Sequence, residues 1–405
     1  MRLARRLDHI EPFYVMECAK AAAELARSPA CDPRSGGEPM IFLNIGEPDF
    51  TAPKLVQQAA ERALHAGRTQ YTDATGLPAL RERISQWYGT RFGLDVPARR
   101  IVVTAGASAA LQLACLALVD RDDEVLLPDP SYPCNRHFVA AAEGVPVLLP
   151  ATAEQRFQLS AEGVRSAWSP RTRGVLLASP SNPTGTSIEA AEMGRIVQAV
   201  RERGGFTIID EIYLGLSYQE DPDERFGHTA LVHDESGRGA DVVSINSFSK
   251  YFSMTGWRLG WMVVPEALVA SIEKLAQNLY ICPSTVAQHA ALACFEPESI
   301  TEYERRRAEF RARRDFLVPA LNQLGLRVPV MPDGAFYAWA DCSAHSASSW
   351  DFCFDMMRRA HVAITPGRDF GHFGTERFVR LSYASSMSQL HEAVDRLAKV
   401  LSQRA

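Results

Sequence analysis

The chain predicts an α/β fold built on a mainly parallel sheet, and three observations support this. Short apolar, β-branched runs alternate with longer helix-like stretches from Ala52 to about Ala293, the pattern left by strand–helix–strand crossovers. Several of those runs end on a polar residue or a small-residue turn, as strands do when their carboxyl ends face a ligand crevice. After about residue 295 the pattern changes to one long charged helix followed by short strands and helices, which predicts a second, smaller α+β unit. The expected division is 1–50 for an N-terminal arm and part of the small domain, 51–295 for the large domain, and 296–405 for the small C-terminal domain.

Taken in order, the first 40 or so residues hold a helix from Pro12 to Ala26, then a loop in which Pro29, Pro33, Gly36 and Gly37 break regularity. Ile101-Val-Val-Thr104 reads as a strand running into the turn Ala105-Gly-Ala-Ser108, and Ala109 to Val119 is almost wholly apolar or small, as a buried helix is. A glycine-containing turn that opens a helix offers free backbone N–H groups and the positive end of the helix dipole, together an anion site. Glu124-Val-Leu-Leu-Pro128 is the next strand, followed by Asp129-Pro-Ser-Tyr-Pro133, where two prolines stiffen the turn around Tyr132. Gly174-Val-Leu-Leu-Ala178 leads into Ser179-Pro-Ser-Asn-Pro-Thr-Gly185, which carries Asn182. Phe206-Thr-Ile-Ile-Asp210 ends on an acid, and Asp241-Val-Val-Ser-Ile245 leads to Ser247-Phe-Ser-Lys250. Each is too short and too β-branched to prefer a helix, and their polar ends converge at one edge of a parallel sheet.

Beyond the sheet, Glu302 to Asn322 is densely charged, with Arg305-Arg-Arg307 and Arg311-Ala-Arg-Arg314. Acidic residues interleave with these arginines, and Phe310, Leu317 and Leu321 recur at helical spacing, so the stretch reads as a solvated amphipathic helix and not as a nucleic-acid face. Short strands at Arg327 to Val330 and Ala335 to Ala340, then a helix from about Trp350 to Arg359, complete the smaller unit.

The chemistry is carried by Lys250. It sits beside the hydroxyls of Ser247 and Ser249, and seven residues separate it from Arg258 in Met-Thr-Gly-Trp-Arg-Leu-Gly. A lysine at a strand end can hold a carbonyl as a Schiff base while a nearby cation and hydroxyls grip a phosphate. Pyridoxal phosphate is the cofactor that presents both groups.

Taken together these motifs resemble a class I/II aminotransferase, a fold-type I pyridoxal phosphate enzyme of the aspartate aminotransferase superfamily, over about Ile41 to Tyr383. The resemblance implies a seven-stranded-type large domain that binds pyridoxal 5'-phosphate. It implies that Lys250 carries the cofactor and later moves the proton at the substrate Cα, that Asp210 pairs with the ring nitrogen, and that Asn182 and Tyr213 bond the ring oxygen. Tyr132 would stack on the ring. Ser108, Ser247 and Arg258, with backbone N–H groups near Gly106 and Ala107, would bind the phosphate, and Ser249 is a further candidate. Tyr71, in Tyr-Thr-Asp-Ala-Thr-Gly76, matches a tyrosine that reaches the phosphate of a partner subunit, which implies a homodimer. Arg380, in Arg377-Phe-Val-Arg-Leu-Ser-Tyr383, matches the arginine that takes the substrate α-carboxylate, alongside Asn182 and Gly46. A guanidinium suits that task because it holds a carboxylate through two parallel hydrogen bonds. Phe336 and Tyr337 either line the substrate pocket or serve packing.

Transamination between an L-amino acid and a 2-oxo acid by a ping-pong mechanism is the leading function. A carbon–sulfur β-lyase or synthase of the same fold, an aspartate-specific aminotransferase, and a non-catalytic effector domain are the alternatives. The roughly 40 residues before the first large-domain motif are too few for the DNA-binding domain the last would need. Family members that take dicarboxylic substrates use an extra cation where this chain has Gln277, or a lysine where it has Ser108. Neutral donors are therefore expected over aspartate.

Bulk properties agree. With 405 residues the chain is long enough for two domains, and its formal net charge of −5 does not favour nucleic acid or an anionic membrane. No apolar stretch approaches the roughly 20 residues needed to span a bilayer, and the start lacks the apolar core of a signal peptide, so a cytoplasmic location is expected. The 8 cysteines form no Cys-x-x-Cys pair and the 10 histidines no ligand cluster, so no metal site is expected.

Overall fold

A computed structural model of the chain describes residues 3–12, 14–219, 225–234 and 241–403. Among the described residues twelve strands form: β1 Ile41–Phe42, β2 Ile101–Thr104, β3 Glu124–Asp129, β4 Val145–Pro150, β5 Thr172–Ala178, β6 Phe206–Asp210, β7 Val242–Ser247, β8 Gly260–Val263, β9 Tyr337–Asp341, β10 Val362–Ala363, β11 Thr365–Pro366 and β12 Phe378–Ser382. Seven of them form one sheet in the order β2-β8-β7-β6-β5-β3-β4. It is parallel except for β8, which is antiparallel to both β2 and β7. The connection from β7 to β8 holds only the short turn Thr255–Trp257 and no crossover α-helix, so the chain returns antiparallel.

The near-continuous apolar runs follow from burial on both faces. Val103, Leu126, Leu177 and Ile209 face one core cluster, while their immediate neighbours Val102, Leu127, Leu176 and Ile208 face another. That alternation is the period of two that a pleated strand imposes. Trp261 on β8 is fully buried among Trp87, Phe248 and Phe252, and its indole N–H donates to the Tyr88 hydroxyl at 3.2 Å. Burying a side chain of this kind stabilises the fold by about 1.5–3 kcal/mol.

Two smaller sheets complete the molecule. β11, β12 and β9 form an antiparallel trio, and β1 pairs in parallel with β10, with Ile41 opposite Val362. The segment after the N-terminal helix is thereby joined to the C-terminal part of the chain. The expected helix from Pro12 to Ala26 is found at Tyr14–Leu25, with Phe13 outside the described residues. The charged helix spans Pro297–Gln323 and buries Phe310, Leu317 and Leu321, as its spacing predicts. Its Arg313 is buried and grips Asp49 through two nitrogens at 2.8 and 2.9 Å. The strand expected at Arg327 to Val330 does not form. Only Arg327 bridges to Asp341, and Pro329, which has no N–H, cannot extend a ladder.

Candidate active site

A cavity of about 680 Å³ opens at the carboxyl ends of the parallel strands. Of the residues singled out in the sequence, Gly46, Ala107, Ser108, Tyr132, Asn182, Asp210, Tyr213, Ser247, Ser249, Lys250, Arg258 and Arg380 line it. Their convergence follows from topology: Asp210 ends β6, Asn182 and Lys250 follow β5 and β7, and Ser108 lies in the first turn of the helix after β2.

Lys250 reaches across the cavity floor, and its Nζ donates to the Gly46 carbonyl at 2.6 Å. Burial, with Arg380 next, pulls its ammonium down to about 8, while Glu47 and Asp210 oppose the shift. The free amine, the nucleophilic form, is therefore more accessible near neutral pH than in an ordinary lysine. Burial pushes the Asp210 carboxyl up to about 7, against the Ile212 N–H that donates to it at 3.1 Å and the charge of Lys250. A carboxylate held so far from water gains most when a cation is placed beside it.

At the other end, the helix Ala107–Leu118 begins at Gly106, whose φ of 91° is a conformation side-chain-bearing residues avoid, and no side chain caps its first turn. A Cβ at Gly106 would stand 2.9 Å from the Arg258 guanidinium. Free N–H groups, that guanidinium, and the Ser108, Ser247 and Ser249 side chains form a cradle for a doubly charged anion. Asp210, Lys250 and this cradle are the donor set that pyridoxal phosphate requires, so the residues present fit the group.

Arg380, on β12, is buried. Its Nη1 donates to Asn182 Oδ1 at 2.9 Å and its Nη2 to the Asn44 carbonyl at 2.9 Å, while its Nε is buried without a protein partner. The guanidinium lies 4.5 Å from the centre of the Tyr337 ring. Tyr337 in turn shares a hydrogen bond of 2.7 Å with Tyr213, which places it in the site and not merely in the core. Burial raises the phenol of Tyr213 and keeps it protonated.

Several residues picked out from the sequence stand outside the cavity lining within one chain: Phe336 is fully buried in the core, and Gly106 is the N-cap of the helix Ala107–Leu118. Tyr71 is 78% exposed and lies outside the cavity. Gln277 is exposed on the helix Glu266–Leu279, with its amide donating to Glu273 at 3.3 Å. Sequence reasoning missed Val15, Met16 and Ala19 of the N-terminal helix, which form an apolar side of the cavity with Ile45 and Leu111. Their spacing is that of any amphipathic helix and holds no signal of a site. Among the described residues no group of acids, histidines and cysteines could hold a metal ion.

The family model for aminotransferase class I and II matches residues 38–397. The chain belongs to the class I and II aminotransferases. It is similar to the valine–pyruvate aminotransferase of Mycobacterium tuberculosis strain H37Rv, 37% identical over 392 residues that cover 97% of each chain. Among solved structures, an aminotransferase from Mycobacterium tuberculosis superposes with a TM-score of 0.92 at 36% identity and full coverage of both chains. The Thermus thermophilus aspartate aminotransferase with maleate gives 0.88 at 33% identity, covering 99% of this chain and all of that one. This aminotransferase is thus a pyridoxal phosphate-dependent transaminase acting on amino and 2-oxo acids. Its relatives are named as valine–pyruvate, aspartate and aromatic-amino-acid aminotransferases, which supports transamination and does not favour the lyase reading. No described helix of the aminotransferase is long and apolar enough to cross a membrane.

Proposed function

We propose that the aminotransferase moves the amino group of a neutral L-amino acid to a 2-oxo acid, with the donor held by Arg380 and its side chain against the apolar side of the cavity. The cation inventory carries this reading. Among the described residues of one chain, Lys250, Arg258 and Arg380 are the cations lining the cavity, and each has a task before a donor side chain is considered. A side-chain carboxylate would lack a charge-assisted contact worth about 1.5–3 kcal/mol, roughly tenfold to a hundredfold in preference.

The residue roles are part of the proposal, and the convergence of these side chains on one cavity supports them. When bound, pyridoxal phosphate supplies a carbonyl carbon for attachment and a protonated ring that spreads the electron pair released at the substrate Cα. Lys250 provides the attachment amine and carries the proton away from and back to Cα. Asp210 keeps the ring nitrogen protonated by its charge. Asn182 and Tyr213 would donate to the ring oxygen, and Tyr132 would cover the ring face. Ser108, Ser247, Ser249, Arg258 and the N–H groups near Gly106 and Ala107 hold the phosphate. Arg380, oriented by Asn182, Asn44 and Tyr337, takes the α-carboxylate, with Gly46 beside it.

The proposal includes a homodimer in which Tyr71 reaches the phosphate cradle of a second copy, as the match of its motif to the family suggests, and its exposed ring is free to do so. It includes the division into 51–295 as the cofactor-holding domain, with 1–50 and 296–405 forming the remainder, supported by the β1–β10 pairing. A cytoplasmic setting is also part of it, since all eight cysteines are free thiols, as reducing compartments favour. The test is a panel of single L-amino acids offered to the cofactor-loaded enzyme without an oxo acid. Faster conversion by apolar donors than by aspartate or glutamate supports the reading, and the reverse order overturns it.

A further inference from the structure

The side of the cavity that faces the donor side chain is built on the helix Tyr14–Leu25, from Val15, Met16 and Ala19. The adjoining strip of that helix, Cys18 and Ala22, is buried against Met40, Met357 and Ala363. Its first turn is held by a residue distant in sequence. Asp369, in the turn Gly367–Phe370 that follows β11, accepts the N–H of Tyr14 at 3.1 Å through one carboxylate oxygen and the N–H of Val15 through the other. A carboxylate there also meets the positive end of the helix dipole.

The same turn is tied down on its far side. Arg136 donates to the Asp369 carbonyl at 3.0 Å and pairs with Glu11 at 3.0 Å, which clamps the chain just before the helix. Arg136 belongs to the helix Pro133–Ala141 that opens directly after Tyr132. On the inner side, Phe370 packs with Val15 in one cluster and lies 5.2 Å from the Arg380 guanidinium. The turn carrying Asp369 therefore touches both the apolar wall and the arginine assigned to the donor carboxylate.

We propose that Asp369 is a positioning residue for donor selection: its carboxylate fixes the first turn of the N-terminal helix and so sets where Val15, Met16 and Ala19 meet the donor side chain. This rests on the neutral-donor reading above. A donor with a short side chain needs that wall little, whereas a branched or long apolar one packs on it throughout. Asp369 thus acts on KM for long apolar donors and leaves the reaction of short ones alone, a split that a general loss of folding does not produce.

The test compares the cofactor-loaded wild type with Asp369→Ala and Asp369→Asn, using alanine, leucine and aspartate as donors and 2-oxoglutarate as acceptor. Asp369→Ala is expected to raise KM for leucine by about tenfold over any change for alanine, because a charge-assisted contact to the helix is lost. Asp369→Asn keeps one acceptor oxygen and is expected to fall between the two, even if the alanine variant fails to fold. An unchanged leucine-to-alanine ratio, or an equal loss for both donors, overturns the proposal while leaving the neutral-donor reading intact. A wild-type preference for aspartate overturns both.

Discussion

Replacing Arg380 by lysine isolates the recognition of the donor carboxylate. In the native site the guanidinium is positioned by Asn182 Oδ1 and the Asn44 carbonyl, each at 2.9 Å, with the Thr365 hydroxyl at 3.4 Å and the Tyr337 and Phe370 rings at 4.5 and 5.2 Å. That frame leaves the guanidinium edge to form two parallel hydrogen bonds to an α-carboxylate, whereas a lysine ammonium offers a single point charge. Losing one charge-assisted bond costs about 1.5–3 kcal/mol, so kcat/KM for an L-amino acid is expected to fall about tenfold to a hundredfold. A second cost falls on the fold. Lysine reaches only one of the two oxygens, and the one left buried and unpaired costs about 1–3 kcal/mol, read as a lower Tm. The assay is single-turnover conversion of the cofactor by an L-amino acid, with the matching primary amine as control. The amine has no carboxylate and should react equally with both proteins. An R380K enzyme within about twofold of wild type on the amino acid, or equally impaired on the amine, would refute the assignment.

Three further outcomes follow from the geometry. Gly106→Ala places a Cβ 2.9 Å from the Arg258 guanidinium at a backbone conformation that costs roughly 1–3 kcal/mol for other residues, so the cofactor dissociation constant measured by titration should rise about tenfold or more. Burial holds the carboxyls of Asp210 and Glu211 up at about 7, and that of Asp369 at about 6. Between about pH 4 and 7 the native, cofactor-free chain thus keeps protons that the unfolded chain has lost, so these groups favour folding at the acid end and lose that contribution as pH rises. Asp210→Asn should flatten this fall in Tm, and an unchanged slope would count against the assignment. The rate at which cofactor attaches to the cofactor-free protein should climb with pH towards about 8 as the Lys250 amine loses its proton, followed by absorbance in stopped flow.

Much of this site was legible because parallel strands bring their carboxyl ends to one place. Asp210 closes β6 at the residue expected from its apolar run, and Asn182 and Lys250 follow β5 and β7 within a few residues. The anion turn was legible for a different reason, since Gly106 is required by its backbone angle and by the guanidinium against it. What stayed hidden depends on contacts between distant parts of the chain. Val15 and Asp369 are far apart in sequence and meet through a hydrogen bond from the Val15 N–H to the Asp369 carboxylate that no residue pattern records. β8 was equally hidden: four residues beside Arg258 form a strand only because β2 and β7 flank them. The failed strand at Arg327 to Val330 shows the opposite error, where apolar character suggested a ladder that Pro329 cannot join. Tyr337 was legible as an aromatic near the site, but its bond to Tyr213 required the fold.

The most direct measurement is a single turnover in which the cofactor-loaded protein, without any oxo acid, meets one apolar L-amino acid. Wild type should convert its cofactor once, release one equivalent of the matching 2-oxo acid and stop until an acceptor is added, while Lys250→Ala should slow this by several orders of magnitude. Continued consumption of the amino acid without an acceptor, or near-normal conversion by the lysine variant, would contradict it.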